Sequence, residues 1–142
     1  MDRGEQIEAL TEKAIGCAIA VHRELGPGLL ESIYRDCLLI ELRTRHLHVE
    51  RERHVAIHYR GQRVANDLKV DLLVEDCVVI EVKAVDHLHP IHAAQVISYL
   101  KLTGCPAGLL MNFNVTSLRA GLKRLVHPAR YVRPPSEQAS DT

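Results

Sequence analysis

The chain has 142 residues, of which 46% are hydrophobic, and its 18 basic residues balance its 18 acidic residues. This length and hydrophobic content are typical of one globular domain with its own core. Because the net charge is zero, a surface that binds nucleic acid must be a local patch and not a property of the whole molecule.

The apolar runs and the cysteines bear on the cellular location of the protein. No apolar run is long enough to span a membrane, and the acidic first residues are unlike a secretion signal. Four cysteines are scattered without a C-x-x-C pair, so we predict reduced packing residues and not zinc ligands or disulfides. We therefore expect a cytoplasmic protein with no membrane contact.

Two amphipathic helices are predicted at the start of the chain. From residue 5 to 25 the apolar positions recur every three or four residues, and the Gly-Pro-Gly sequence at 26–28 ends this helix. A second helix is predicted from 29 to 45. Spacings of three, four and four place four of its residues on one face: Glu31, Tyr34, Leu38 and Leu42.

Glu31 stands at the top of this otherwise apolar face, and two interpretations are open. A first-turn acid at the surface would be stabilised by the helix dipole. Alternatively, Glu31 points inward, towards the charged strand described below.

Extended structure is predicted from residue 47 to 74, with a turn at residues 60–62. Asp71 lies in the last strand of this region, on its more polar face. The region is also the most basic part of the chain and is a candidate surface for phosphates, although charges on strands are more often merely solvated. Its basic residues are Arg51, Arg53, Arg60, Arg63 and Lys69.

A central strand is predicted at residues 78–83, Val-Val-Ile-Glu-Val-Lys, where β-branched residues on both faces indicate cover from above and below. Glu81 and Lys83 interrupt this run and point to the same side, because strand side chains alternate with a period of two. Opposite charges on a buried face are costly unless they are paired or used. The ordinary alternative is a surface ion pair on a solvated strand.

The register of the hairpin between these strands decides whether Asp71 meets Glu81. A two-residue loop would place Asp71 opposite Ile80. A three-residue loop with a bulge, for which Asp76 tolerates the left-handed conformation, places Val74 opposite Val78 and Asp71 opposite Glu81. In that register two carboxylates and an ammonium converge, which suits a hard divalent cation held against a phosphate.

The rest of the chain predicts one more strand between two helices. Pro90 begins a helix that runs to about residue 102 and carries Gln95 and Tyr99 as an i, i+4 pair. A buried strand at 107–113 follows, paired in parallel with the central strand. We then predict a helix from 117 to 126 and a disordered tail at 127–142. A metal site at His87, His89 and His92 is not favoured, because their spacing does not direct all three to one ion.

The order of these features resembles the PD-(D/E)xK nuclease superfamily. Residues 95–99 look like the Q-x-x-x-Y element of its recombination-exonuclease branch, and residues 28–34 resemble the G-x-x-E-x-x-Y signature that names a small family within it. The resemblance covers residues 5–126. It implies an α/β fold with a restriction-endonuclease-like core, a mixed central β-sheet flanked by helices, in a single domain at 1–126.

Two features depart from the family pattern. The hairpin turn has Glu75-Asp76 where members often have Asp-Gly, and Val70 stands where the superfamily has a proline before the aspartate. Neither departure removes a charged residue of the site.

By this resemblance the chain is a nuclease that hydrolyses phosphodiester bonds with Mg²⁺ or Mn²⁺. The resemblance implies that Asp71, Glu81 and the Val82 carbonyl hold the metal, with Glu31 completing the ligand set directly or through water. It implies that Lys83 orients the attacking water and neutralises developing charge. Three residues are expected to contact the substrate: Gln95, Tyr99 and Tyr34.

Nucleic acid is the expected partner, with DNA favoured over RNA, and a homodimer is left open. The alternative function is a catalytically silent nuclease fold that binds nucleic acid or a protein partner. A further alternative is a plain α/β domain in which Glu81 and Lys83 form only a surface ion pair.

Overall fold

The computed structural model describes residues 1–130. The helices are α1 Arg3–Leu25, α2 Glu31–Thr44 and α3 Pro90–Thr103. The strands are β1 Val49–Val55, β2 His58–Tyr59, β3 Gln62–Arg63, β4 Leu68–Val74, β5 Val78–Lys83, β6 Ala107–Asn112 and β7 Leu122–Val126. Short 3-10 turns occupy Leu118–Gly121 and Pro128–Arg130.

Five strands form one mixed sheet in the order β1-β4-β5-β6-β7, and β2 and β3 form a separate two-stranded sheet. The pairing of β5 with β6 is parallel and the other pairings are antiparallel. One core lies between the sheet and the helices α1 and α2, and a second core lies between the sheet and α3. The expected fold class, a mixed sheet flanked by helices, is confirmed.

Local signals account for the helix ends. The Asp2 carboxylate accepts a hydrogen bond from the Glu5 N–H (2.8 Å) and caps the start of α1. Gly26 ends α1 with a φ of 67°, and Gly104 ends α3 in the left-handed conformation, as its lack of a Cβ allows. Pro90 is the first residue of α3. The three helices therefore lie where the sequence predicts them, to within two residues at each end.

The β4–β5 hairpin has the bulged register, in which Val74 pairs with Val78 and Leu72 pairs with Ile80. Glu75 and Asp76 both have a φ of 52°, and the Val74 carbonyl accepts from the Cys77 N–H (2.9 Å). The left-handed Asp76 is confirmed, and Glu75 shares its conformation. Because the ladder begins at Leu72, the preceding residue of β4, Asp71, has no backbone partner on β5.

The helix predicted from residue 117 to 126 is wrong. A single 3-10 turn is followed by β7, which pairs antiparallel with β6 and forms an edge of the sheet. Gly121 permits this arrangement, because a Cβ there would lie 2.3 Å from the Asn112 carbonyl oxygen. The apolar spacing suits a helix equally well, but the exposed hydrogen-bonding edge of β6 favours a strand.

Three further predictions concern the C-terminal tail, the cysteines and membrane-spanning helices. Residues 127–130, predicted to be disordered, continue the fold: the His127 N–H donates to the Pro106 carbonyl (2.9 Å), and a 3-10 turn follows. The remainder of the predicted tail, 131–142, lies outside the described residues. All four cysteines are free thiols. No helix within residues 1–130 has the length and apolar character needed to cross a membrane.

Candidate active site

Asp71 and Glu81 meet where β4 separates from β5. The Val82 N–H donates to Asp71 Oδ2 (3.0 Å), and the Asp71 N–H donates to Glu81 Oε1 (3.3 Å). Each carboxylate thus satisfies a backbone donor that the interrupted ladder leaves unpaired. The two acids are therefore fixed side by side at the C-terminal end of β5.

Burial makes this pair electrostatically unusual. Glu81 is only 4% exposed, and its burial, followed by the neighbouring charge of Asp71, raises its pKa to about 7. Lys83 opposes this shift, and Glu31 adds to it. Glu81 therefore exchanges a proton near neutral pH, where an ordinary glutamate is fully ionised.

Lys83 faces Glu81, with 3.8 Å between Nζ and Oε2, and its side chain is 20% exposed. This ion pair lies on a central strand, and its acid is buried. The alternative of a surface pair on a solvated strand is therefore wrong.

Glu31 is the first residue of α2 and is half-buried. Its charge acts on Glu81 and also on His92 at the start of α3. Its orientation, inward or at the surface, stays a prediction.

Arg35 and Glu52 also belong to this cluster, and sequence reasoning missed both. Arg35 Nη1 lies 3.5 Å from Asp71 Oδ1, and its Nη2 lies 4.0 Å from Glu52 Oε1. Glu52 has a φ of 48°, a strained conformation for this residue type. Arg35 stands one helical turn after Glu31, so the helix period could have revealed it. Glu52 could be assigned to the cluster only from the pairing of β1 with β4.

The α3 helix brings Tyr99 near Glu81 and Asp71, and Gln95 lies one helical turn before Tyr99. Burial, then the charges of Glu81 and Asp71, raise the pKa of Tyr99 to about 12, so its hydroxyl stays protonated and can donate a hydrogen bond. Gln95 Oε1 is buried and has no hydrogen-bond partner among residues 1–130. Both side chains retain hydrogen-bonding capacity for a bound molecule.

Tyr34 is placed differently. It is fully buried, and its ring stacks on Phe113 with 4.8 Å between centroids. Its hydroxyl donates to the Gly26 carbonyl (2.5 Å) and accepts from the Leu29 N–H (3.1 Å). Tyr34 thus has no exposed surface, and it anchors the loop that leads into Glu31.

A family model of the PD-(D/E)XK nuclease superfamily matches residues 8–125. This protein belongs to that superfamily. The mixed sheet with flanking helices is the restriction-endonuclease-like fold, and membership makes this a nuclease-type protein. Comparison with curated proteins and with solved structures finds no match.

PD-(D/E)XK nucleases typically use divalent metals, so the fit of these residues to a metal decides how the site is interpreted. Within residues 1–130, no group of three or more His, Cys, Asp or Glu side chains is arranged as a ready metal site. This holds for the three histidines at 87, 89 and 92, and also for the predicted set of Glu31, Asp71 and Glu81. Instead, the His89 N–H donates to His92 Nδ1 (3.0 Å) in a helix cap.

A smaller set of hard oxygen donors does fit Mg²⁺, which commonly binds through one or two carboxylates and keeps several waters. Asp71 and Glu81 supply two adjacent carboxylates. A strand residue directs its N–H and C=O to the same side, so the Val82 carbonyl faces the gap where Asp71 lies. The donor chemistry of this superfamily site therefore suits Mg²⁺ or Mn²⁺, with Arg35 and Lys83 as the present counter-charges.

Proposed function

We propose that this protein is a metal-dependent nuclease of the G-x-x-E-x-x-Y family, with a Q-x-x-x-Y element at Gln95 and Tyr99. The observation that carries the proposal is the buried pair of Asp71 and Glu81 beside Lys83. A glutamate whose pKa is raised to about 7 costs stability at neutral pH unless a cation favours its ionised form. A divalent metal is the cation that a nuclease would place there.

Asp71, Glu81 and the Val82 carbonyl would hold Mg²⁺ or Mn²⁺, and Glu31 would complete the set directly or through water. When bound, the metal supplies an activated water at neutral pH and stabilises charge on the phosphate. Asp71 and Glu81 are held next to each other, because each accepts a hydrogen bond from the strand that carries the other. This fixed arrangement supports their assignment as ligands.

The remaining side chains would position the substrate and its attacking water. Lys83 Nζ, next to Glu81, would orient the water and neutralise the charge that develops on the phosphate. Gln95 and Tyr99 would hydrogen-bond the substrate backbone or bound waters. Tyr34 would act indirectly, by holding the loop before Glu31, because its own hydroxyl already donates to one backbone group and accepts from another.

We propose nucleic acid as the substrate, with DNA favoured over RNA. Residues 56–67, here named the arm, support this proposal. The arm connects β1 to β4 at the end of the sheet where Asp71 lies, and every residue from 58 to 67 is exposed. Tyr59 is 69% exposed, and the Arg60 guanidinium lies 5.9 Å from its ring centroid. An exposed aromatic ring beside an arginine suits a nucleic-acid contact.

The ion pairs of the site favour a second candidate. Arg35 and Lys83 already place positive charge against Asp71 and Glu81 without a metal. A catalytically silent nuclease fold that binds nucleic acid or a protein would need no metal to balance these carboxylates.

Thermal melts with EDTA, Mg²⁺ or Mn²⁺ and cleavage assays on labelled DNA and RNA separate the two candidates. Asp71→Ala removes a proposed ligand, and Asp36→Ala is the control, because Asp36 is an exposed aspartate paired only with Arg51. At about ten times the Kd, metal is expected to raise the melting temperature of wild type and the control by about 3 to 6 °C, and not that of Asp71→Ala. Only wild type and the control should cut. If metal shifts no melt and nothing is cut, the silent module is the better description.

A further inference from the structure

A basic cavity lies between the end of α1 and the loop that follows β6. Its volume is about 240 Å³, which gives room for a tetrahedral anion and some water. The polar residues that line it are His22, Arg23, Thr116, Ser117 and Arg119, and its other two lining residues are apolar. None of the acidic side chains among residues 1–130 lines the cavity.

The two arginines of this cavity are exposed and unpaired in the part of the chain that the structure describes. Arg23 and Arg119 form no hydrogen bond or ion pair with any side chain within residues 1–130, and both are exposed. Arg124, on the neighbouring strand, behaves differently and pairs with Glu8 and Glu12. Two guanidiniums that are unpaired within residues 1–130 and two hydroxyls that can donate thus surround one concavity, which is the chemistry of a phosphate site.

The walls of the cavity are held in place. His22 Nε2 lies 2.8 Å from the Val115 carbonyl oxygen, so this nitrogen carries the proton and donates. The Asn112 side chain accepts from the N–H groups of Val85 and Asn114 and donates to the Val85 carbonyl. The loop that carries Thr116 and Arg119 is thus tied to α1 on one side and to the chain that leaves β5 on the other.

The cavity lies at the same end of the sheet as the candidate active site, on the face that α1 covers. Lys83 is paired with Asn112 across the parallel strands β5 and β6, which lie about 5 Å apart. Thr116 follows Asn112 by four residues, which span at most about 14 Å. The backbone at Thr116 is therefore within about 20 Å of the backbone at Lys83, roughly six steps of a nucleic-acid strand at about 3.4 Å each.

We infer that this cavity binds a backbone phosphate of the nucleic-acid substrate, a few nucleotides from the bond that is cut. The inference rests on the proposed function for the identity of the substrate. Arg23 and Arg119 bind the phosphate oxygens, and the Thr116 and Ser117 hydroxyls add neutral donors. The contact is to the backbone, so it adds affinity and fixes the path of the strand without reading sequence.

The test is nucleic-acid binding by Arg23→Gln, Arg119→Gln and the double variant, measured by fluorescence anisotropy in EDTA at several salt concentrations. Arg3→Gln is the matched control, because Arg3 is an exposed arginine at the opposite end of α1. The double variant is expected to bind about five to ten times more weakly on every sequence, and its slope of log affinity against log salt should fall by about 1. The control should bind like wild type.

The outcomes separate this inference from the proposed function. Equal binding by the double variant and wild type overturns the phosphate site, whether or not wild type cuts nucleic acid. Weaker binding by the double variant supports the site even if no cleavage occurs, and then only the nuclease proposal fails. A thermal melt with inorganic phosphate tests whether the cavity binds free phosphate instead of a nucleic-acid backbone. If phosphate stabilises wild type and not the double variant while nucleic-acid binding is equal, the cavity takes free phosphate and the inference is wrong.

Discussion

The carboxylate of Glu81 has two functions that oppose each other. As a hydrogen-bond acceptor for the Asp71 N–H, it closes the gap where β4 leaves β5. As a buried charge beside another carboxylate, it destabilises the fold whenever it ionises. A change at this residue therefore has an effect on stability that depends on pH.

Glu81→Gln is expected to remove a pH dependence from the stability of the metal-free protein. The folded protein has a Glu81 pKa of about 7 against an ordinary value of 4.5, so it retains a proton that the unfolded chain releases. The free energy of unfolding of wild type should therefore fall as pH rises from about 4.5 to about 7, by about 3 kcal/mol in this residue's contribution. The glutamine variant should lack this fall, because it has no proton to lose.

Urea unfolding in EDTA at pH 5, 6, 7 and 8 measures this difference. Comparison with the variant at each pH cancels the titration of the other acids. If wild type and Glu81→Gln show parallel pH profiles, Glu81 does not titrate near neutral pH in the folded protein. Added Mg²⁺ should reduce the fall in wild type, because a bound cation favours the ionised carboxylate.

The helices and the β4–β5 hairpin are set by interactions between residues close in sequence, and the sequence predicted them. The helices follow from apolar periodicity and from caps at Asp2, Gly26 and Gly104, each of which acts within a few residues. The hairpin register follows from the turn between Val74 and Val78, and it brings Asp71 to Glu81. The acidic pair with its lysine could therefore be assembled from sequence.

The features that sequence missed depend on distant partners. The strand β7 forms because the edge of β6 is available to it, and nothing in residues 122–126 alone requires a strand. Likewise, Glu52 joins the site only through the pairing of β1 with β4. Pairing across long sequence separations is not encoded in a short window.

Two glycine-to-alanine changes test how β6 and β7 are joined. Gly121→Ala should lower the free energy of unfolding by about 1 to 3 kcal/mol, because its Cβ would lie 2.3 Å from the Asn112 backbone oxygen, which cannot move freely. Gly16→Ala is the matched control within α1, where the nearest atom is the flexible end of Arg45 at 3.4 Å. It should raise the free energy of unfolding by about 0.5 to 1 kcal/mol. Chemical denaturation measures both, and equal effects would contradict the close approach at Gly121.

Across the whole molecule, the groups suited to nucleic acid gather at one end of the sheet. The acidic pair lies at the C-terminal end of β5, the basic cavity follows β6, and the arm emerges between β1 and β4. The net charge is zero, so the molecule as a whole does not attract a polyanion through its net charge. Binding should instead depend on these few local contacts, and single substitutions should weaken it measurably.

Tyr59 offers the sharpest test of that dependence, because its ring is 69% exposed on an arm that contributes no buried side chain between residues 58 and 67. Tyr59→Ala should leave stability within about 0.5 kcal/mol of wild type. It should weaken single-stranded binding by about 1 to 3 kcal/mol if the ring stacks on a base. Tyr59→Phe keeps the ring and should bind like wild type. Anisotropy in EDTA with single- and double-stranded oligonucleotides measures both, and duplex binding should change less because duplex bases are already stacked. Unchanged single-strand binding by Tyr59→Ala would remove the ring of Tyr59 from the interface and leave the acidic pair and the basic cavity to hold the substrate.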